Sequence, residues 1–203
     1  MDFWQTLAFL NYLMGLTVAI SYLSVSFSQA HYMVSDGLAY NPGYRASLTL
    51  CVTLSSLLCA RYFYLFDSNR ARAGAVLSLL SCAFWWVLAF QFDYTVHVTG
   101  TALFISCTMA STVCQYLVSK NPNGPDHGDY DLAYLLLLFI TLVLVVTYVG
   151  LYLSPSMSNQ AWIPEHMSLI LFLSTQAGFF WIHPFRVPVY KPIPNQPPPR
   201  SSV

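Results

Sequence analysis

Six long stretches of apolar side chains, separated by short polar breaks, set the pattern of this chain. They run approximately over Phe3–Val25, Ala46–Phe66, Ala73–Phe92, Val96–Val118, Leu132–Leu153 and His166–Ile182. About 20 mostly apolar residues in a helix span the hydrocarbon core of a bilayer. Strands of a membrane barrel would instead alternate apolar and polar positions over about ten residues, whereas these runs are apolar on every face. The pattern predicts an all-α, polytopic integral membrane protein of six transmembrane helices. The fifth run, LAYLLLLFITLVLVVTYVGLYL, carries no charge, and the sixth is the shortest, closing on His183-Pro184.

The breaks carry the turn chemistry. The first, about Ser26–Arg45, contains Ser35-Asp36-Gly37 and Asn41-Pro42-Gly43, and the fourth, Lys120–Asp131, reads KNPNGPDHGDYD; such clusters mark loops. The last stretch, VPVYKPIPNQPPPRSSV, is proline-rich and predicts an extended segment of polyproline II character. The expected organisation is a transmembrane domain over residues 1–185 and a Pro-rich cytoplasmic tail over 186–203. Met1-Asp2-Phe3 lacks the basic segment of a secretory signal, so the first run is expected to stay as a helix.

Charge adds an orientation. Only 8% of residues are charged and the formal net charge is +0. Soluble domains carry about 25%, so this chain could not cover a surface in water. It also lacks the cationic patch that nucleic acid would need. Arg61, Arg70, Arg72, Lys120, Arg186, Lys191 and Arg200 flank even-numbered breaks or the tail, and Arg45 alone borders an odd one. Basic residues collect on the cytoplasmic side, which predicts both termini in the cytoplasm. The first, third and fifth breaks then face the lumen or exterior.

Candidate chemistry is sparse. The interiors of the runs hold no Asp, Glu, Lys, Arg or His, which argues against a proton-coupled transporter or a charged ion path. Asn11, Gln115 and Gln176 are the embedded amides and are expected to bridge helices. Cys51, Cys59, Cys82, Cys107 and Cys114 all lie in apolar runs without CxxC spacing, as small packing residues do. No metal site, HExxH or GxSxG motif appears, and no cofactor is expected. Asp36, Asp93, His97, Glu165 and His166 form the one plausible polar cluster, all on the exoplasmic side. Helix capping is the plain role for such groups; a structured lumenal site is the sharper one. The first loop is expected to pack over the starts of the fourth and sixth helices, with Asp36 capping or pairing there. Ser201 and Val203 have the spacing that a PDZ groove reads, and Pro192–Pro199 suits an SH3-type groove. The expected partners are therefore the lipid bilayer and a PDZ or SH3 protein at the tail.

Several of these segments together resemble a known family. Ile20-Ser21-Tyr22, Val34-Ser35-Asp36-Gly37, Asn41-Pro42, Arg61-Tyr62, His97-x-x-Gly100 with Phe104, and Pro184-Phe185-Arg186 are similar to segments of the damage-regulated autophagy modulator (DRAM) family. That family sits within a wider six-helix group that includes GPI-remodelling proteins. The resemblance implies a non-enzymatic modulator of autophagy or lipid organisation in endolysosomal or plasma membranes. Two alternatives stay open: a GPI- or lipid-remodelling factor using the exoplasmic cluster, and a channel or channel accessory subunit lined by Ser and Thr.

Overall fold

The computed structural model describes residues 1–28, 33–91, 93–120, 128–154, 156–183 and 185, without the side chains of 26–28 and 128–130. Among the described residues the fold is all-helical: α1 Phe3–Ser28, α2 Val34–Tyr40, α3 Pro42–Phe63, α4 Asn69–Phe90, α5 Tyr94–Ser119, α6 Gly128–Leu153 and α7 Trp162–Ile182, with a 3-10 turn at Ser158–Gln160. Five helices, α1, α3, α4, α5 and α6, are long and apolar enough to cross a membrane. The sixth predicted span lies in α7, which has 21 residues but is less apolar, because Glu165, His166 and Gln176 interrupt it.

Helices α3, α4 and α5 begin earlier than their apolar runs, because side-chain caps and not the apolar residues start them. The Asn41 side chain accepts from Tyr44 N–H (2.9 Å) ahead of Pro42. Ser68 accepts from Ala71 N–H (3.1 Å) and Asp93 from Val96 N–H (3.1 Å). Each satisfies an amide that the first helical turn leaves unpaired. The turn signals of the first loop thus do more than break the chain. Asp36 accepts from Met33 N–H (3.0 Å) and caps the short helix α2, and Asn41 ends α2 and starts α3.

Packing runs in the order α5–α4–α3–α1–α7–α6, each helix against the next, with α2 seated on α3, α4 and α7. Among the described residues no extended packing joins α6 back to α5. Hydrogen bonds tie the other seams. Asn11 of α1 donates to Cys51 O (3.0 Å) and Ser55 Oγ (2.7 Å) of α3. Gln176 of α7 donates to Tyr134 Oη of α6 (3.2 Å), so two of the three embedded amides bridge helices as expected. Between α4 and α5, Ser78 meets Ser111 (2.7 Å) and Ser81 meets Thr108 (2.6 Å).

The polarity is inverted relative to a water-soluble bundle. Asn11, Ser78, Ser81, Ser111, Gln115 and Gln176 are buried, while Leu132, Leu136, Phe139, Val146 and Leu153 of α6 are exposed. An exposed apolar surface of this extent suits lipid contact and not water. The aromatic residues divide between surface and core. Arg61 lies over Trp4 (4.1 Å) and Arg45 over Phe90 (5.4 Å), as expected of an interface. Tyr62, next to Arg61 in the sequence, is by contrast 2% exposed. Its ring packs on Phe179, Phe180 and Phe185.

Candidate functional site: a cavity inside the bundle

The two ends of the bundle are sealed differently. At the end where α1 starts and α7 stops, Gln5 donates to Trp181 O (3.0 Å). There Tyr12 and Phe180 stack at 5.7 Å, Phe180 and Phe185 at 5.4 Å, and Tyr134 leans on Phe179 at 5.4 Å. These rings make an aromatic plug. At the opposite end α2 is the cover, with Val34 and Leu38 buried against Leu48, Trp85 and Leu88. Gly37 is needed for that seat: a Cβ there would run into the ring of Tyr22, itself stacked on Tyr44 at 4.1 Å.

Between plug and cover lies a cavity of about 180 Å³, walled by α3, α4, α5, α6 and α7. At about 10–15 Å³ of such space per water-sized group, it has room for on the order of a dozen. Its wall is mixed. Phe104, Ile105, Val145, Leu169 and Phe172 supply apolar surface, and Thr101, Thr108, Thr112 and Gln115 form a polar stripe on α5. Their spacings of seven, four and three residues place them on one helix face. Gln115 and Gln176 both line the cavity and are each 1% exposed. Among the described residues Gln115 Nε2 and Gln176 Oε1 have no hydrogen-bond partner. Buried amide groups left in this way are uncommon and call for an explanation.

The sequence cluster is only partly gathered. Glu165 and His97 line the cover end of the cavity with Ser35. Glu165 Oε2 accepts from Val34 N–H (2.7 Å) and so latches α2 to the start of α7. As a residue it is half-buried, yet the packing around its carboxyl group pushes the pKa up to about 8. Nearby Asp36 adds to that rise, and the amides of Val34 and Ser35 oppose it. His97 Nδ1–H donates to Leu88 O (3.1 Å), which fixes its tautomer and ties α5 to α4. His166 is fully buried between the rings of Tyr22 and Trp162, and Asp93 caps α5. Asp36 caps α2, and loop one packs on α4 and α7 with no extended packing against α5. The PDZ-type and SH3-type segments, with Ser201 and Val203, lie outside the described residues. The described residues hold no group of three or more His, Cys, Asp or Glu able to bind a metal.

No family model, curated protein or solved structure matches the chain. The cavity has no distinct signature in the sequence, because Ser and Thr also occur where membrane helices simply pack. The one available signal was the spacing of Thr101, Thr108, Thr112 and Gln115 on a single face.

Proposed function

We propose that this protein is a six-span, non-enzymatic membrane protein whose interior cavity holds a lipid taken from the bilayer. The observation that carries this reading is the way the cavity is closed. The α2 cover and the aromatic plug block the route along the bundle axis, while the α5–α6 wall lacks helix packing. A permeation path needs open ends; a lipid site needs an open side. α7 serves as the sixth span in this reading. It is flanked by two helices apolar enough to cross a membrane, and an even number of spans returns both termini to the cytoplasmic side that the basic residues favour. A role of the DRAM type, modulating autophagy or lipid organisation in endolysosomal or plasma membranes, is compatible with a retained lipid and rests on the resemblance described above.

One observation favours a second reading, lipid or GPI remodelling: His97 and Glu165 both line the cavity. Native mass spectrometry of the full chain released from nanodiscs tests the first reading. It should show one retained lipid per chain, unaltered in mass by incubation. Bare protein that conducts ions in liposomes would overturn it in favour of a channel. A lipid that changes mass, and stops doing so in His97→Gln and Glu165→Gln, would move it to remodelling. For the topology, protease added outside sealed cells should leave a C-terminal tag intact.

A further inference from the structure

The lining chemistry narrows the ligand, given the lipid-holding role proposed above. Four of the hydroxyl protons along the wall are already used. Thr101 donates to His97 O (2.8 Å), Thr112 to Thr108 O (2.9 Å), Thr141 to Leu137 O (2.8 Å) and Ser168 to Glu165 O (2.8 Å). These side chains therefore present lone pairs to the interior and accept more readily than they donate. Gln115 Nε2 adds a donor and Gln176 Oε1 an acceptor, both without partners among the described residues. A group that donates and accepts at once, a hydroxyl or an amide, satisfies this set. A phosphate would not: among the described residues no Lys or Arg lines the cavity, and a buried anion without a cation is expensive.

Size and access narrow it further. Room for on the order of a dozen water-sized groups accommodates one acyl chain and not two. α5 and α6 meet through their rings near the ends of the seam, Tyr94 on Tyr152 at 6.4 Å and Tyr116 on Tyr134 at 6.0 Å. Between these pairs, Ile105, Thr108 and Met109 of α5 and Thr141, Val145 and Tyr148 of α6 line the cavity. Gln115 adjoins Tyr116, and Gln176 is bonded to Tyr134, so the two amides sit at the plug end of the same seam.

We infer that the cavity takes a neutral, single-chain lipid bearing hydroxyl or amide groups, admitted sideways between α5 and α6. Its polar head is held by Gln115 and Gln176 and its chain lies along Phe104, Ile105, Val145 and Phe172.

The test uses the full chain in nanodiscs and three diazirine-bearing probes of equal chain length: a monoacylglycerol, a fatty acid at pH 8, and a phosphatidylcholine. The monoacylglycerol should label peptides containing Thr108–Thr112 and Thr141–Val145 at least fivefold more than either other probe. Gln115→Leu with Gln176→Leu should cut that labelling at least fivefold. Val145→Trp, which narrows the seam, should slow labelling with the glutamines intact; Val145→Phe replaces it if the Trp variant does not fold. Preferred labelling by phosphatidylcholine, or labelling that neither change alters, would overturn the inference. Lipid retention itself is read separately by mass, so a phospholipid found there would sink this ligand class and leave the lipid-holding role standing.

Discussion

Helix α5 has two flanks, and they are built differently. Toward α4 it makes close contacts through small residues and hydroxyls: Gly100 sits on Leu88, Ser111 reaches Gly74 O (3.2 Å), and Thr108 meets Ser81. Toward α6 it offers tyrosines near the ends and a cavity between. Lipid tails are as apolar as leucine, so helices in a bilayer gain little from hiding leucines from each other. Close approach of backbones and polar contacts decide which pairs join. The α4–α5 side has both, and α5–α6 has neither along its middle. The difference explains why one seam is shut and its neighbour can admit a guest.

Glycines probe the contrast most sharply. The ring of Phe63, 1% exposed, fills the space where a Cβ at Gly74 would go. Gly74→Ala should gain about 1 kcal/mol in helix propensity but lose more to overpacking, which typically costs about 1–3 kcal/mol. Its Tm in nanodiscs is expected to fall, and Gly74→Leu should fall further. A rise in Tm for the alanine variant would mean that the α3–α4 packing yields easily. Gly150 on α6 is the counterpart, with nothing within 4 Å of its would-be Cβ. Gly150→Ala is expected to stabilise by about 0.5–1 kcal/mol. A loss of stability there would show that a neighbouring molecule covers that face of α6.

The hydroxyl pair is a smaller lever. Ser78→Ala and Ser111→Ala should show a coupling of about 0.6 kcal/mol, the average for such bonds in membranes, in a double-mutant cycle followed by reversible unfolding. Additive losses would leave the tight side of α5 to shape alone.

A pH-dependent effect comes from the cover, which bridges both sides by touching α4 and α7. With its pKa raised from the ordinary 4.5 to about 8, the Glu165 carboxyl binds its proton more tightly folded than unfolded. Its contribution is thus complete below about 4.5 and is lost as pH rises toward 8. The groups facing it are Asp36 on α2, Tyr44 on α3, and Tyr148 and Tyr152 on α6. A Tm that drifts downward over this window, and flattens in Glu165→Gln, is the expected result. An identical drift in the variant would assign it to another group.

Much of this architecture was legible from the residues. Period and length place the helices, and Asn41, Ser68 and Asp93 explain why several begin a turn early. Asn11 and Gln176 behave as embedded amides usually do. Gln115 does not, and nothing local distinguishes it: its difference comes from α6 standing away, which is a property of helices far apart in the chain. The role of Tyr62 was hidden for the same reason. Beside Arg61 it has the neighbour of an interface residue, and only the arrival of Phe179, Phe180 and Phe185, more than a hundred residues later, makes it part of a plug.

Phe185 gives that plug a mechanical side. It is 7% exposed and stacks on Phe180, two residues after His183 stacks on Phe179 at 4.3 Å. The end of α7 is therefore built into the stopper itself, held there by two successive ring stacks. A load applied beyond residue 185 falls first on those rings, before any helix has to tilt. Tension on the chain and the seal beneath the cavity are one linkage.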